Sequence, residues 1–198
     1  MRCIVVAYGA NRGIGYRGRL PWRLPSDMRH FRELTIGGTV LMGRKTYESL
    51  PDAYRPLPQR RNVVLSANPD FEQRALEAAA ASVEPGGGSE GHSASHGDCA
   101  SAIGDHGRAG GASVEVHASV EAGLAACGEG CFVIGGGSIY EQTLGLVERV
   151  YATVVHDTPL SDTYFPELPP ERWRCSERTQ DIRENGTCFH FATYDRIY

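Results

Sequence analysis

The 198-residue chain has no run of 18 consecutive apolar residues, which excludes a helix built to span a bilayer. Its first apolar stretch covers only Cys3 to Tyr8, too short for a secretory h-region, so the cytoplasm is the expected location. No Cys-x-x-Cys occurs among the six cysteines, Cys3, Cys99, Cys127, Cys131, Cys175 and Cys188. They read as reduced thiols, mostly buried, with Cys99 alone and exposed in a Gly/Ser tract. Lysine is almost missing: Lys45 is the only one. Nor is there a basic surplus, because the net charge is -4, and neither nucleic acid nor membrane is expected as a partner. Within that total, residues 1–62 hold 12 basic and 4 acidic side chains. A small anionic ligand held by the N-terminal part suits this asymmetry.

What is present reads as an α/β protein. "CIVVAY" (3–8), "TVLMG" (39–43), "NVVLS" (62–66) and "VERVYATVVHD" supply apolar strands. "RKTYESL" opens a helix directly after Gly43, and "CFVIGGGSIYEQTL" gives strand, glycine turn and helix over 131–144. Ser26 is the expected N-cap of a helix running to about Leu34, and an Ala-rich helix is expected at 71–83. "WRCSERTQDI" and "TCFHFATYDRI" form a closing antiparallel pair around "ENG". The fold class is therefore a single mostly parallel mixed sheet with flanking helices and an antiparallel C-terminal hairpin.

Residues 84–112 break the pattern with Gly, Ser, His and Ala and almost no large apolar side chain. Such a segment reads as a flexible surface excursion within one domain. Its His92, His96, Cys99 and His106 fit no strong ligand spacing, so no metal site is expected there.

Four stretches carry chemistry. In "GRLPWRLPSDMRHFREL" one acid, Asp27, lies between a Trp-Pro-rich apolar turn and a helix face. Burying a carboxylate costs several kcal/mol unless it is paired or protonated. Either it is solvated or it is kept in a cleft for proton chemistry. "VIGGGSIY" (133–140) and "LMGRKTYES" (41–49) each run from a strand through glycine into a helix, where free N–H groups can meet a phosphate. A tight strand-to-helix turn explains the first equally well. Arg44 and Lys45 oppose the helix dipole in the second, which favours an anion site. "RPLPQRRN" (55–62) offers Arg60 or Arg61 as a carboxylate clamp, or simply a solvated basic turn.

Together "RGIGYRGRLPWRLPSDMRHF", "VLMGRKTYESL", "RPLPQRRNVVLS", "VIGGGSIYEQ" and "DTYFPE" resemble, in order and spacing, the dihydrofolate reductase family of bacterial chromosomal type. The resemblance covers residues 3 to about 71 and 113 to the end. It implies NADPH-dependent reduction of 7,8-dihydrofolate to 5,6,7,8-tetrahydrofolate, with hydride reaching C6 and a proton N5, in support of one-carbon and thymidylate metabolism. It implies a monomer whose partners are dihydrofolate and NADPH. Asp27 matches the family's single active-site acid, Trp22 the tryptophan holding a water near the pterin, and Thr153 the threonine behind the acid. Val5, Ala7, Met28, Phe31, Leu50, Leu57 and Ile134 match walls of the substrate cleft, and Arg60 the partner of the glutamate α-carboxylate. The cofactor positions matched are Ala7, Ile14, Leu20, Gly43, Arg44, Lys45, Thr46, Leu65, Ser66, Gly136, Gly137, Ser138, Ile139, Tyr140 and Gln142. The resemblance also implies a cis Gly135–Gly136 peptide, a lid over Asn11–Leu20, and an acid in "DTYF" (162–165) that meets the lid. Ala67 and Ser138 depart from the family at two positions that often help to recognise the 2'-phosphate.

Two other readings use the same residues. A pyrimidine reductase of the riboflavin-synthesis type keeps a nucleotide site but lacks the acid in this setting. A binding protein without turnover would not need Asp27, Trp22, Thr153 and both glycine turns together. Replacing residues 86–111 with a short Gly-Ser link should leave dihydrofolate turnover largely intact, because added loop length costs little free energy. Amide exchange in the intact segment should be fast. Strong protection there, or tight stoichiometric zinc on the segment, would overturn this reading.

Overall fold

The computed structural model describes residues 1–81, 112–128 and 130–197. The Gly/Ser/His-rich segment expected at 84–112 lies outside these residues except for Ala112, as do Cys99 and its histidines. In chain order the elements are β1 (Arg2–Gly9), β2 (Gly13–Gly15), α1 (Pro25–Thr35), β3 (Thr39–Gly43), α2 (Arg44–Ser49), β4 (Arg61–Leu65) and α3 (Pro69–Ala81). Then come β5 (Ser113–His117), α4 (Val120–Cys127), β6 (Cys131–Gly135), α5 (Gly137–Thr143), β7 (Arg149–Val155), β8 (Thr163–Tyr164), β9 (Trp173–Arg178), β10 (Ile182–Glu184) and β11 (Thr187–Arg196).

The main sheet runs β10-β11-β7-β1-β6-β3-β4-β5, with β9 following β10 along the outer edge of β11. From β7 to β5 every pairing is parallel, and β11 joins β7 antiparallel. Parallel strands are covered on both faces, so they read as continuous apolar runs. Val40, Leu41 and Met42 are all fully buried yet serve opposite faces. Leu41 joins Ile4, Val63, Val133 and Val150 beneath α4 and α5, whereas Val40 and Met42 join Val64 and Phe71 beneath α3. A third, small cluster of Leu24, Val155 and Phe189 seats the entry to α1 on the hairpin end of the sheet. At the far edge Arg61 of β4 forms a two-pronged ion pair with Glu115 of β5, at 2.6 and 2.7 Å.

Several local expectations are corrected. Ser26 does not cap α1, because the helix already begins at Pro25 with Leu24 in the cap position. Proline has no N–H to satisfy and suits the first helical residue. The arm expected to pair as "WRCSERTQDI" is two strands, β9 and β10, both laid against β11. The Ala-rich helix starts at Pro69 rather than 71. Strand β5 and helix α4 were not expected at all. Their signals are weak, since β5 is short and half-exposed and α4 is a short helix rich in Ala with only Val120 and Leu124 as large apolar residues. Cys3, Cys127 and Cys131 are buried as expected, but Cys175 is exposed and Cys188 half-buried.

The C-terminal ends of β1, β3, β4, β6 and β7 share one edge, where an open α/β sheet builds its ligand crevice. Phe189 is 0 % exposed and underpins the α1 side of that edge. Phe189→Ala should cost about 3–5 kcal/mol of stability, read from urea unfolding at fixed pH, with Phe189→Leu costing less.

Candidate active site

Asp27 sits in the first turn of α1, three residues past Leu24. Its Oδ1 accepts a 2.6 Å hydrogen bond from the hydroxyl of Thr153 on β7. Thr153 lies directly opposite Ala7 of β1 in the parallel ladder. Asp27 keeps access to the cleft, yet protein surrounds most of it, and burial raises its pKa above the usual carboxylate value. The Thr153 hydrogen bond opposes that rise and the negative charge of Glu184 adds to it. Burial outweighs the Thr153 hydrogen bond.

Glu184, on β10, has a second role that sequence reading missed. The α1 N-cap makes no side-chain hydrogen bond of its own. Instead the Glu184 carboxylate accepts from the Ser26 backbone N–H at 3.0 Å and from the Ser26 hydroxyl at 3.2 Å. Next to it the Asn185 side chain donates to the Arg23 carbonyl at 2.9 Å. The β10–β11 turn therefore grips the start of the helix that carries Asp27. Nearby, the Trp22 indole N–H is buried without a hydrogen-bond partner among the described residues.

The expected apolar walls come from five segments. Val5 and Ala7 are on β1, Ile134 on β6, Phe31 on α1, Leu50 at the end of α2, and Leu57 before β4. Val5 and Leu57 are buried, and the other four are partly exposed. Met28 and Leu20 are 56 % and 52 % exposed. The structure separates the two arginines that the sequence left open. Arg61 is committed to Glu115 and to the Ala126 carbonyl. Arg60 is only 6 % exposed, yet it meets no acid among the described residues. Its guanidinium donates to the Pro58 carbonyl and the Thr35 hydroxyl, both at 3.0 Å, and lies 5.7 Å from the Phe31 ring centre. Burial, reinforced by Arg32, lowers its pKa to about 10.

The second half of the site is backbone. The Gly135–Gly136 peptide is cis, as expected. Gly135 has φ +115°, a region L side chains rarely adopt, and a Cβ there would also press on the Tyr140 ring at 3.1–3.2 Å. A Cβ on Gly137 would meet Thr163 at 2.8 Å, and one on Gly43 would meet Ile139 at 3.1 Å. The turn thus packs close against α2 and the lid segment. Tyr140 itself is buried, and its hydroxyl donates to the Val5 carbonyl at 2.9 Å. Its hydroxyl therefore braces β1 at Val5. Arg44 and Lys45 open α2 and form no ion pair or hydrogen bond with the described residues; Lys45 is exposed and Arg44 half-buried. Ser138 and Gln142 bond to each other on the exposed side of α5. A groove of ≈ 300 Å³ runs between Leu65, Ser66, Ala67, Ser119, Ile139 and Gln142. Ser119 had not been singled out, although a serine before an apolar run is a helix N-cap signal, and it caps α4 by accepting from Ala122 N–H.

The loop expected to act as a lid pairs as β2 against β8, with Ile14 partly buried beside the core. Asp162 accepts from the Arg17 backbone N–H at 2.7 Å, and its own N–H donates to Gly15 at 3.0 Å. The acid of "DTYF" thus meets the lid.

A dihydrofolate reductase family model matches residues 1–86 and 104–196, leaving the middle of the Gly/Ser/His segment unmatched. The chain is 30% identical to dihydrofolate reductase of Bacillus subtilis over 99% of its length and 95% of that protein. It is 33% identical to dihydrofolate reductase type 3 of Salmonella typhimurium, over 98% and 96% of the two chains. A solved dihydrofolate reductase from Enterococcus faecalis, complexed with NADP(H) and RAB-propyl, superposes with TM-score 0.69 at 28% identity, over 99% and 96% of the chains. With a cleft acid backed by threonine, a cis glycine turn and a family match on both sides of the Gly/Ser/His segment, the chain belongs to the dihydrofolate reductase family.

Proposed function

We propose that this reductase converts 7,8-dihydrofolate to 5,6,7,8-tetrahydrofolate with NADPH, by hydride addition at C6 and protonation at N5. The observation that carries the reading is the Thr153–Asp27 pair: one acid of raised pKa, held by a hydroxyl and walled by apolar residues. Asp27 anchors the pterin through N3 and the 2-amino group. Its charge favours the protonated heterocycle, which makes C6 electrophilic. Thr153 fixes the carboxyl orientation. The unpartnered Trp22 N–H suits a water that relays the proton to N5. Arg60, buried without an acid among the described residues, suits the α-carboxylate of the glutamate tail through its planar fork. Met28, Phe31, Leu50, Leu57, Val5, Ala7 and Ile134 exclude water around the ring system.

The residues present fit NADPH. The close-packed glycines at 43 and 135–137 leave backbone free to approach a diphosphate, and Arg44, Lys45 and Thr46 stand at the adjoining helix start. The groove from Leu65 to Gln142 suits the adenosine end. When bound, NADPH supplies the hydride. Ile14, Leu20 and the Arg17–Asp162 contact close the lid side, and Ile139 packs against Gly43. The role follows as tetrahydrofolate supply for one-carbon and thymidylate metabolism by a cytoplasmic monomer. Among the described residues no helix is long and apolar enough to cross a membrane. NADPH oxidation with dihydrofolate, with a ribosylamino-pyrimidine, and without substrate tests the reading. Consumption driven by the pyrimidine alone would overturn it.

Asp27→Asn should lower hydride transfer at neutral pH by about 10²–10⁴-fold, with partial recovery in acid, where solution protonates the substrate. Stopped-flow measurement across pH checks this. The same variant has a stability signature. A carboxyl whose folded pKa is raised binds protons more tightly in the folded chain. Its contribution is therefore most favourable below the unfolded pKa and is lost as pH rises through the folded one. Asp27→Asn should accordingly unfold at higher urea than the parent at neutral pH, with the difference fading in acid.

Cofactor choice rests on Arg44, because no hydroxyl stands at Ala67 and no base at Ser138. One charge-assisted bond contributes about 1.5–3 kcal/mol, roughly 10- to 150-fold. Arg44→Ala should raise KM for NADPH by that factor and far less for NADH, with Arg44→Lys between. Salt should erode the preference. Equal losses toward both cofactors, at fixed ionic strength, would assign Arg44 to the shared diphosphate.

A further inference from the structure

Outside the reductase cleft, metal-ligating side chains of three kinds converge at the hairpin end of the sheet. His156 follows β7, and its backbone N–H donates to the Cys188 carbonyl on β11 at 2.9 Å. The register that sets Phe189 against Val155 therefore sets Cys188 against His156, so both project from one face. His190, two residues along β11, shares that face. Asp181 enters from the connection between β9 and β10. His156 Nε2 and His190 Nδ1 are 3.0 Å apart, and each is 3.7 Å from Asp181 Oδ1. Ligand atoms of His156, Asp181 and Cys188 all lie within 4.8 Å of one another.

We propose that His156, Asp181, Cys188 and His190 bind a divalent transition-metal cation of the zinc class. In a tetrahedral zinc centre the ligand atoms stand about 3.3–3.6 Å apart, given metal–ligand distances near 2.0–2.3 Å. The separations among His156, His190 and Asp181 need only a few tenths of an ångström of closure or opening, whereas His190, which lies outside the mutual 4.8 Å group, must also close on Cys188. Two neutral imidazoles, a thiolate and a carboxylate carry a charge of about −2 and neutralise a dication. This soft and borderline set favours zinc, cobalt or copper over magnesium and calcium. His156, Asp181 and Cys188 form the core of the site, and His190 completes a fourth, structural position on closing, tying β7, β11 and the β9–β10 connection together.

The same groups also form a hydrogen-bonded network, which is the competing explanation. Arg178 Nη2 lies 2.9 Å from Asp181 Oδ1 and 3.5 Å from His190 Nδ1. That network has no use for Cys188, whereas a metal does. Arg178 is half-exposed and Asp181 is 46 % exposed, so the guanidinium can swing into solvent and an ion can enter. Binding releases the Cys188 thiol proton to solvent and frees Arg178 from Asp181.

The test is titration of the full chain with Co²⁺ under a non-thiol reductant, reading the thiolate-to-cobalt charge-transfer band. One equivalent should bind with that band, and Zn²⁺ should displace it while Mg²⁺ should not. Cys188→Ser should abolish the band, and His156→Ala or His190→Ala should weaken binding by more than about tenfold. Arg178→Ala should tighten binding, which a purely hydrogen-bonded role does not anticipate. Cys175→Ser and Cys99→Ser should change nothing. Zn²⁺ should raise the melting temperature of the parent and of Arg178→Ala but not of Asp181→Asn, a readout that does not depend on the thiolate band. No cobalt–thiolate band in the parent, or a band that survives Cys188→Ser, overturns the proposal. So does a band lost in Cys99→Ser, which places the ion in the segment at 84–112.

Discussion

The pairing of β7 with β1 is the constraint on which the site depends. Seven rungs run from Cys3 beside Arg149 to Gly9 beside Val155. Side chains alternate faces along a strand, so a slip of one residue would turn Thr153 away from α1 and carry Ala7 off the crevice. Val150, Ala152 and Val155 lock the register by burial, and Tyr140 bonds the Val5 carbonyl from below. Asp27 then needs no elaborate support of its own. One hydroxyl from this ladder orients it, and one carboxylate from β10 steadies the helix start beneath it.

That arrangement holds two tendencies in tension. A carboxylate near a helix N-terminus is favoured by the dipole, and the Thr153 hydrogen bond acts in the same direction. Apolar burial acts against both, and Glu184 sides with burial although it also secures the helix. A fully solvated acid would hold a cationic ring weakly, because water screens it. A fully paired one would have no use for the ring. Asp27 lies between, since its one hydrogen-bond donor leaves the second oxygen available.

Much of this was legible in the sequence because it is written in short range. The apolar runs, the glycine turns and Asp27 after "LPW" each depend on neighbours a few residues apart. The features that escaped depend on distance. Glu184 meets Ser26 across 158 residues, and nothing in "IREN" marks it as a helix support. Arg60 and Arg61 look alike until the strand begins at Arg61 and delivers that side chain to Glu115, 54 residues on. Ser26 obeyed the capping preference for serine, but Pro25 had already started the helix and Ser26 found its partner on another strand. Tyr140 lies in a motif read for cofactor contact, and its place in the core and its bond to the Val5 carbonyl were not legible there.

Lys45 has a further consequence. Because arginine replaces lysine everywhere else, the chain presents one side-chain amine, exposed at the first turn of α2. Amine-directed acylation therefore addresses one side chain besides the α-amino group. A fluorophore or biotin attached to a side chain through that chemistry lands at one defined point, at the start of α2. The rate of labelling at Lys45 then becomes a gauge of what occupies the helix start.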